Sequence, residues 1–216
     1  MDKRWRETFL TWAKMPEHQA RVEEARRIIR EALKRHKCYL AYSGGKDSTA
    51  MLHLVAREDP GIFVYHHSQG RYMPREAEEE LIEVARAAGA RNLHVYPAER
   101  DFWTDIVHEL VEKGFTAVFV GLRKEEGSRR RQRMKARRNL TPMREFWPLA
   151  NWTWMDVWAY LVANGVRYHS HYDRYAPLVG WDQARFHAFF DPRMRAFGKD
   201  NLDGILSWRY KHERPR

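Results

Sequence analysis

Cysteine is almost missing from this sequence. Its single thiol, Cys38, leaves no disulfide framework and no Cys-x-x-Cys metal or cluster site. Long apolar runs are missing too. None approaches the roughly 20 residues that a membrane span needs, so no membrane association is expected. The opening residues MDKRWRETFLTWAKMPEHQ alternate charged and aromatic side chains and hold no apolar h-region. That argues against a secretory signal and for a cytoplasmic protein. Internal repeats and low-complexity segments are absent. Acidic residues are in deficit: 29 Asp and Glu stand against 39 Lys and Arg, a formal net charge of +10. Such a balance suits polyanionic partners, whether nucleotides, sulfate-like anions or nucleic acid. It equally suits an Arg-rich surface that only solubilises the chain.

What is present is a repeated alternation. Between Pro16 and His36 the apolar residues Val22, Ala25, Ile28, Ile29, Ala32 and Leu33 recur at helical spacing. Then CYLAY reads as a buried strand and DSTAMLHLVARE as a helix. GIFVYHH is a strand, and PREAEEELIEVARAAG a helix with Pro74 at its start and Gly89 as its stop. NLHVYPA, DFWTDIVHELVEKG and FTAVFVGL continue as strand, helix and strand. The pattern predicts an α/β fold, a parallel twisted sheet with helices on both faces. Ligands of such sheets bind beyond the carboxyl ends of the strands. The polar junctions 42–48, 66–72 and 121–126 should therefore converge on one crevice. Beyond Gly121 lies a basic stretch, RKEEGSRRRQRMKARRNL. It is followed by a helix over NWTWMDVWAYLVANGV, with Thr153 and Asp156 as its capping box and Gly165 as its end. From His169 onward a helical or irregular extension is expected, with a short helix at Gln183–Phe189.

The junction Tyr42–Ser48 carries the chemistry. Paired glycines, Gly44 and Gly45, let backbone N–H groups approach an anion, and the helix behind them adds a positive dipole end. Ser43 and Ser48 supply hydroxyls, Lys46 a charge expected to face solvent, and Asp47 a carboxylate. A helix start with a glycine turn would explain the glycines alone, though not the whole string. It is not a Walker A motif, which needs G-x-x-x-x-G-K-[ST].

AYSGGKDS resembles the PP-loop, S-G-G-x-D-S, of the adenine nucleotide alpha-hydrolase superfamily. VGLRKEEGSRRR is similar to the G-[LI]-R-x-x-E-x-x-x-R stretch of one branch. That branch holds phosphoadenylyl-sulfate (PAPS) reductase, the ATP sulfurylase small subunit and FAD synthetase; Gly121, Arg123, Glu126 and Arg130 fall on the pattern. A third block, FWPLANWTWMDVWAYLVANGVRYHSHYD, is similar to the branch's P-L-x-x-W-T-x-x-D-V-W-x-Y-[IL] segment. It matches at Pro148, Leu149, Trp152, Thr153, Asp156, Val157, Trp158 and Tyr160, then at Tyr168, Tyr172 and Asp173. Most of these aromatics read as packing, and Asp156 as a cap. The resemblance runs from Cys38 to Asp173. It divides the chain into an N-terminal helical segment (1–37), a PP-loop nucleotide-binding domain (38–168) and an aromatic, basic tail packing on the same domain (169–216).

The resemblance implies a Rossmann-like nucleotide site. Adenine would lie near Ala41, Tyr42 and Val64, and the sugar near Gly121. The loop Ser43, Gly44, Gly45, Lys46, Asp47 and Ser48 would hold the phosphates of ATP, or the sulfate end of PAPS or adenylyl sulfate, with Glu126 in the same binding set. Lys46, Arg123 and Arg130 would act in catalysis, and Asp47 would help hold Mg²⁺. The implied activity is adenylyl transfer at the α-phosphate, with pyrophosphate released and a small, sulfate-type oxyanion as the favoured acceptor. Two features depart from the branch. The tail LDGILSWRYKHERPR has no nucleophilic cysteine, so thiol-based reductase chemistry lacks its nucleophile. The second junction reads HHSQGRY where the branch has an acidic D-T-G-like turn, and His66 and His67, as strand neighbours, should face opposite sides. Open alternatives are a PAPS or adenylyl-sulfate binder without its own thiol, a nucleic-acid-modifying or nucleic-acid-binding protein gripping phosphates through 129–138, and a flavin adenylylating enzyme. A homodimer or a partner subunit is also compatible.

Overall fold

Apolar runs of four or five residues become strands here, because buried parallel strands need no polar alternation. The structure is a computed structural model and describes residues 1–70, 73–184 and 186. Among them β1 (Cys38–Tyr42), β2 (Phe63–His67), β3 (Asn92–Tyr96), β4 (Ala117–Val120) and β5 (Arg144–Phe146) form one parallel sheet. The strand order is β3-β2-β1-β4-β5. It reverses direction between β1 and β4, the switch point at which an open α/β sheet leaves a crevice beyond the strand ends.

The helices are α1 (Lys3–Ala13), α2 (Pro16–Arg35), α3 (Lys46–Glu58), α4 (Arg75–Ala87), α5 (Val107–Glu112), α6 (Ser128–Lys135), α7 (Trp154–Ala163) and α8 (His171–Val179). The strand period of two splits β1 between two cores. Leu40 and Tyr42 join the large core that contains α2, α3, α4 and α7, while Tyr39 packs with Tyr65, Val118 and Leu110 of α5 on the other face. The layered α/β architecture thus matches the sequence expectation, and Pro16 opens α2 as expected.

The N-terminal segment 1–37, expected to be helical, contains α1 and α2, while the π-helical turn, α6, β5 and the course of α8 were not expected. The aromatic N-terminus forms α1, capped by Asp2, whose carboxylate accepts the Trp5 N–H at 2.9 Å. α1 packs on α7, where Phe9 is fully buried against Trp158 and Trp181. The helix expected from Asp101 begins instead as a π-helical turn, Phe102–Ile106, before α5. The basic stretch contains α6, and the edge strand β5 follows it. α8 continues past Tyr172 despite its Pro177. Of the short helix expected at Gln183–Phe189, residues 185 and 187–189 lie outside the described residues, as do Arg71 and Tyr72 of the second junction.

The capping box of α7 forms as expected: Thr153 Oγ1 accepts the Asp156 N–H at 3.2 Å and Asp156 accepts the Thr153 N–H at 2.7 Å. Asp156 does more than cap. Fully buried, it also accepts from Trp12 Nε1 at 2.9 Å and Arg21 Nη1 at 2.6 Å, with His18 Nδ1 at 3.0 Å. One carboxylate thus ties α1 and α2 to the start of α7.

Candidate nucleotide site

The loop after β1 is shaped by two close approaches. Gly44 has φ +79°, a left-handed conformation, and a Cβ there would lie 2.1 Å from Leu81 Cδ1. Only glycine fits both conditions. At the end of β4, a Cβ on Gly121 would lie 3.0 Å from Ser48 N and 3.1 Å from the Asp47 carbonyl. The missing side chain lets β4 press against the first turn of α3. Within the loop, Ser48 Oγ donates to Gly45 O at 2.9 Å and accepts from Ser43 Oγ at 3.1 Å. Lys46 N–H donates to the Tyr172 hydroxyl at 2.9 Å, so α8 supports the first turn of α3.

Beside the loop opens a cavity of about 140 Å³. Its floor is one face of the sheet: Tyr39 and Ala41 of β1, Tyr65 and His67 of β2, Val118 and Val120 of β4. Ser43, Ser48, Gln69, Gly121 and Leu122 form its rim, so the three junctions do converge. Phe102, Leu140 and Thr141 close it, and the buried Thr141 hydroxyl has no hydrogen-bond partner among the described residues.

Residues 37–113 and 105–183 match the phosphoadenosine phosphosulfate reductase domain family, together spanning the loop, the sheet and α7. The chain belongs to that family. Among relatives of this PAPS reductase-family chain is sulfate adenylyltransferase subunit 2 of Mycobacterium bovis. It is 28% identical over a 236-residue alignment that covers 89% of this chain and 70% of that protein. The subunit 2 protein of Mycolicibacterium gilvum is 29% identical over 194 residues, covering 69% and 62%. Yeast FAD synthetase in complex with FAD superposes with a TM-score of 0.43 at 16% identity, over 73% of this chain and 65% of that one.

In the PAPS reductase-family chain the predicted cations are not displayed to solvent. Arg123, fully buried, reaches Asp47 through Nε and Glu125 through Nη1. Glu126 accepts the Arg123 N–H at 2.9 Å and pairs with Arg130. Burial alone lowers the Arg123 pKa, but the carboxylates of Asp47, Glu126 and Glu125 outweigh it and raise it. The Arg123 Nη2, also buried, has no hydrogen-bond partner among the described residues, and a buried charged donor of that kind calls for an acceptor from a ligand or from water. Replacement of Arg123 by Lys removes the fork that joins two loops. A thermal melt should show a loss of about 1.5–3 kcal/mol, the worth of a hydrogen bond to a charged group, whereas Arg131→Ala on the exposed side of α6 should leave the melt unchanged.

Two expectations need correction, the exposure of Lys46 and the place of Val64, while Asp47 and Glu126 carry contacts that the sequence did not show. Lys46 does not face solvent: it is 1% exposed, its ammonium donates to the Ala184 carbonyl at 3.0 Å, and Asp47 Oδ2 lies 3.5 Å away. Ala184, distant from the loop in the sequence, is the residue that covers it. Asp47 meets Arg123 through one oxygen, and its other oxygen lies 3.5 Å from the Lys46 ammonium. Glu126 spends its carboxylate on Arg123 and Arg130 and orders the loop. Val64 sits within β2, paired with Leu40 and Leu93, and is fully buried in the large core rather than at a strand end. Tyr42 borders the cavity, but its hydroxyl turns to the α3 face, 3.4 Å from Thr49 Oγ1 and Leu81 O.

The histidines separate as the strand period demands. His67 lines the cavity, while His66 lies on the opposite face, 3.0 Å from Tyr42 O and 3.4 Å from Glu78. Glu78 accepts from Ser68 Oγ at 3.0 Å and Gln69 N–H at 3.2 Å, so α4 supplies the carboxylate that the second turn lacks. Sequence reasoning also missed Arg133, which borders the cavity and pairs with Glu145. The alternation Tyr39–Ala41, Tyr65–His67 and Val118–Val120 was the available signal for the floor; the closing loop residues carry no periodicity.

Cys38 is buried at the start of β1, at the opposite end of that strand from the loop, and burial pushes its thiol up to about 11. It is no thiolate at neutral pH. Cys38→Ser should therefore leave turnover within about twofold in a steady-state assay, with only a modest stability loss from placing a hydroxyl in the core; abolished turnover in a folded variant would reverse that reading.

Proposed function

We propose that the protein binds an adenine nucleotide with its base in the Tyr39–Thr141 cavity and its phosphates at the Ser43–Ser48 loop, and acts at the α-phosphate. An acceptor oxygen attacks the α-phosphorus, the bond to the bridging oxygen breaks, and pyrophosphate leaves with that electron pair. A small oxyanion of the sulfate type is the favoured acceptor. The observation that carries the reading is the buried Arg123 Nη2, a charged donor without a partner among the described residues, next to a glycine-opened helix start. Such chemistry asks for positioning and charge neutralisation more than for a protein nucleophile. The match to sulfate adenylyltransferase subunit 2 supports the acceptor class, and the word subunit in that name supports a partner chain.

Lys46 enters by exchange: its ammonium leaves the Ala184 carbonyl for a phosphate oxygen. Replacement by Met preserves the packing and removes the donor. Pyrophosphate release should be measured with ATP and, in parallel, sulfate, FMN or no acceptor. Sulfate-dependent release is expected, falling by roughly one to two decades in Lys46→Met, the equivalent of about 1.5–3 kcal/mol. Release unaffected by the substitution would remove Lys46 from the site, and release only with FMN would move the protein to flavin adenylylation.

A second reading rests on the outer face of α6 and the turn after it, where Arg129, Arg131, Lys135, Arg137 and Arg138 are exposed beside the cavity rim. There a nucleic-acid phosphate backbone would bind with affinity that falls steeply with salt. Neutralising these residues reduces the salt slope only if that reading holds.

A further inference from the structure

Glu80 of α4 faces two histidines that flank Ser170, the residue before α8. One ligating atom from each of Glu80, His169 and His171 lies within 4.8 Å of those of the other two. His169 is fully buried, and its Nε2 lies 2.9 Å from the Ala77 carbonyl. A carbonyl accepts only, so Nε2 carries the proton and Nδ1 keeps its lone pair. That Nδ1 accepts the His171 backbone N–H at 3.2 Å and lies 3.1 Å from His171 Nδ1, so an ion would take its lone pair in place of that N–H. Glu80 is set in place by Ser170, whose N–H and hydroxyl each donate to it at 2.7 Å, and its Oε2 lies 3.5 Å from His169 Nε2.

Two nitrogens each about 2.0–2.1 Å from one zinc-type ion and separated by this distance subtend roughly 100° at the metal, close to tetrahedral. The Nε2–H to carbonyl contact is the outer support that metal-bound histidines usually have. We propose that Glu80, His169 and His171 form a site for a divalent transition ion of the zinc class, fastening α4 to the start of α8. The competing explanation is a hydrogen bond from His171 Nδ1–H to His169 Nδ1. The two differ in their consequence for the loop: Tyr172, adjacent to His171, holds the Lys46 N–H, so an ion here stiffens one wall of the nucleotide site.

The full chain, stripped with chelator, would be titrated with Zn²⁺ by calorimetry and with Co²⁺ by visible absorption. One equivalent per chain is expected, with low-micromolar or tighter affinity, an intense tetrahedral Co²⁺ band and a raised melting temperature. His171→Ala and Glu80→Gln should each weaken binding at least tenfold, while the exposed His108→Ala binds as the parent does. Glu80→Gln retains hydrogen-bonding capacity toward Ser170 and carries the test if His171→Ala does not fold. Absence of stoichiometric binding, or binding that survives in the site variants, leaves a hydrogen-bonded histidine pair only and overturns the proposal. Neither outcome depends on nucleotide turnover.

Discussion

Asp156→Ala should destabilise this protein severely. Its carboxylate is fully buried and accepts from Trp12, Arg21 and Thr153, with His18 in contact. Truncation leaves the Arg21 charge and several donors without their acceptor at a junction of three helices. Breaking such a buried pair costs about 3–5 kcal/mol, or roughly 6–20 °C of melting temperature for a chain of this size. Burial by itself raises the Asp156 pKa, but the hydrogen bonds from His18, Thr153 and Trp12 outweigh it and hold it well below the usual range. The unfolded carboxyl titrates near 3.9. The stabilisation is therefore complete above about pH 5 and is lost as the pH falls through and below the unfolded value. Denaturant melts between pH 7 and pH 3 should show the parent losing stability over that interval. Asp156→Asn should start lower and vary less with pH. Equal pH slopes in the two proteins would show that the carboxylate does not carry this linkage.

Gly44→Ala should disable the loop. A non-glycine residue in the left-handed region costs about 1–2 kcal/mol. The added methyl also drives into Leu81, which is fully buried and has little room to yield, and overpacking of that kind adds about 1–3 kcal/mol. Relief requires the Gly44–Gly45 backbone to swing away from α4, which moves the N–H groups that open α3. Nucleotide affinity should fall at least tenfold, with a folded core still reporting native circular dichroism. An Ala variant that binds nucleotide as the parent does would mean that the loop geometry is not what the ligand reads.

The parts of this fold that could be read in advance are those whose signal is local. CYLAY, FVYHH and AVFV are short apolar runs between turn residues, and the glycine pair after the first marks a strand-to-helix turn that approaches an anion. Thr153 and Asp156 announce the start of α7 by spacing alone. The unread parts depend on distant partners. β5 has only three residues, Arg144–Phe146, and becomes a strand because β4 offers it an open edge. α1 alternates charged and aromatic residues, and what it packs on shows only where Phe9 meets Trp158 and Trp181. Lys46 looks like a solvent-facing lysine until the Ala184 carbonyl reaches it from 138 positions away in the chain. The neutralisation of Arg123 and Arg130 by Asp47, Glu125 and Glu126 depends on two junctions, those after β1 and β4, meeting at the sheet's switch point.

An adenine nucleotide in the crevice between β1 and β4 is the centre of the proposed function. Calorimetric titration of the full chain with ATP and with adenylyl sulfate, beside Gly44→Ala, tests it most directly. Saturable binding of at least one of them is expected at one site per chain, weakened at least tenfold by the glycine substitution. Saturable binding of neither, or binding indifferent to Gly44, would contradict it.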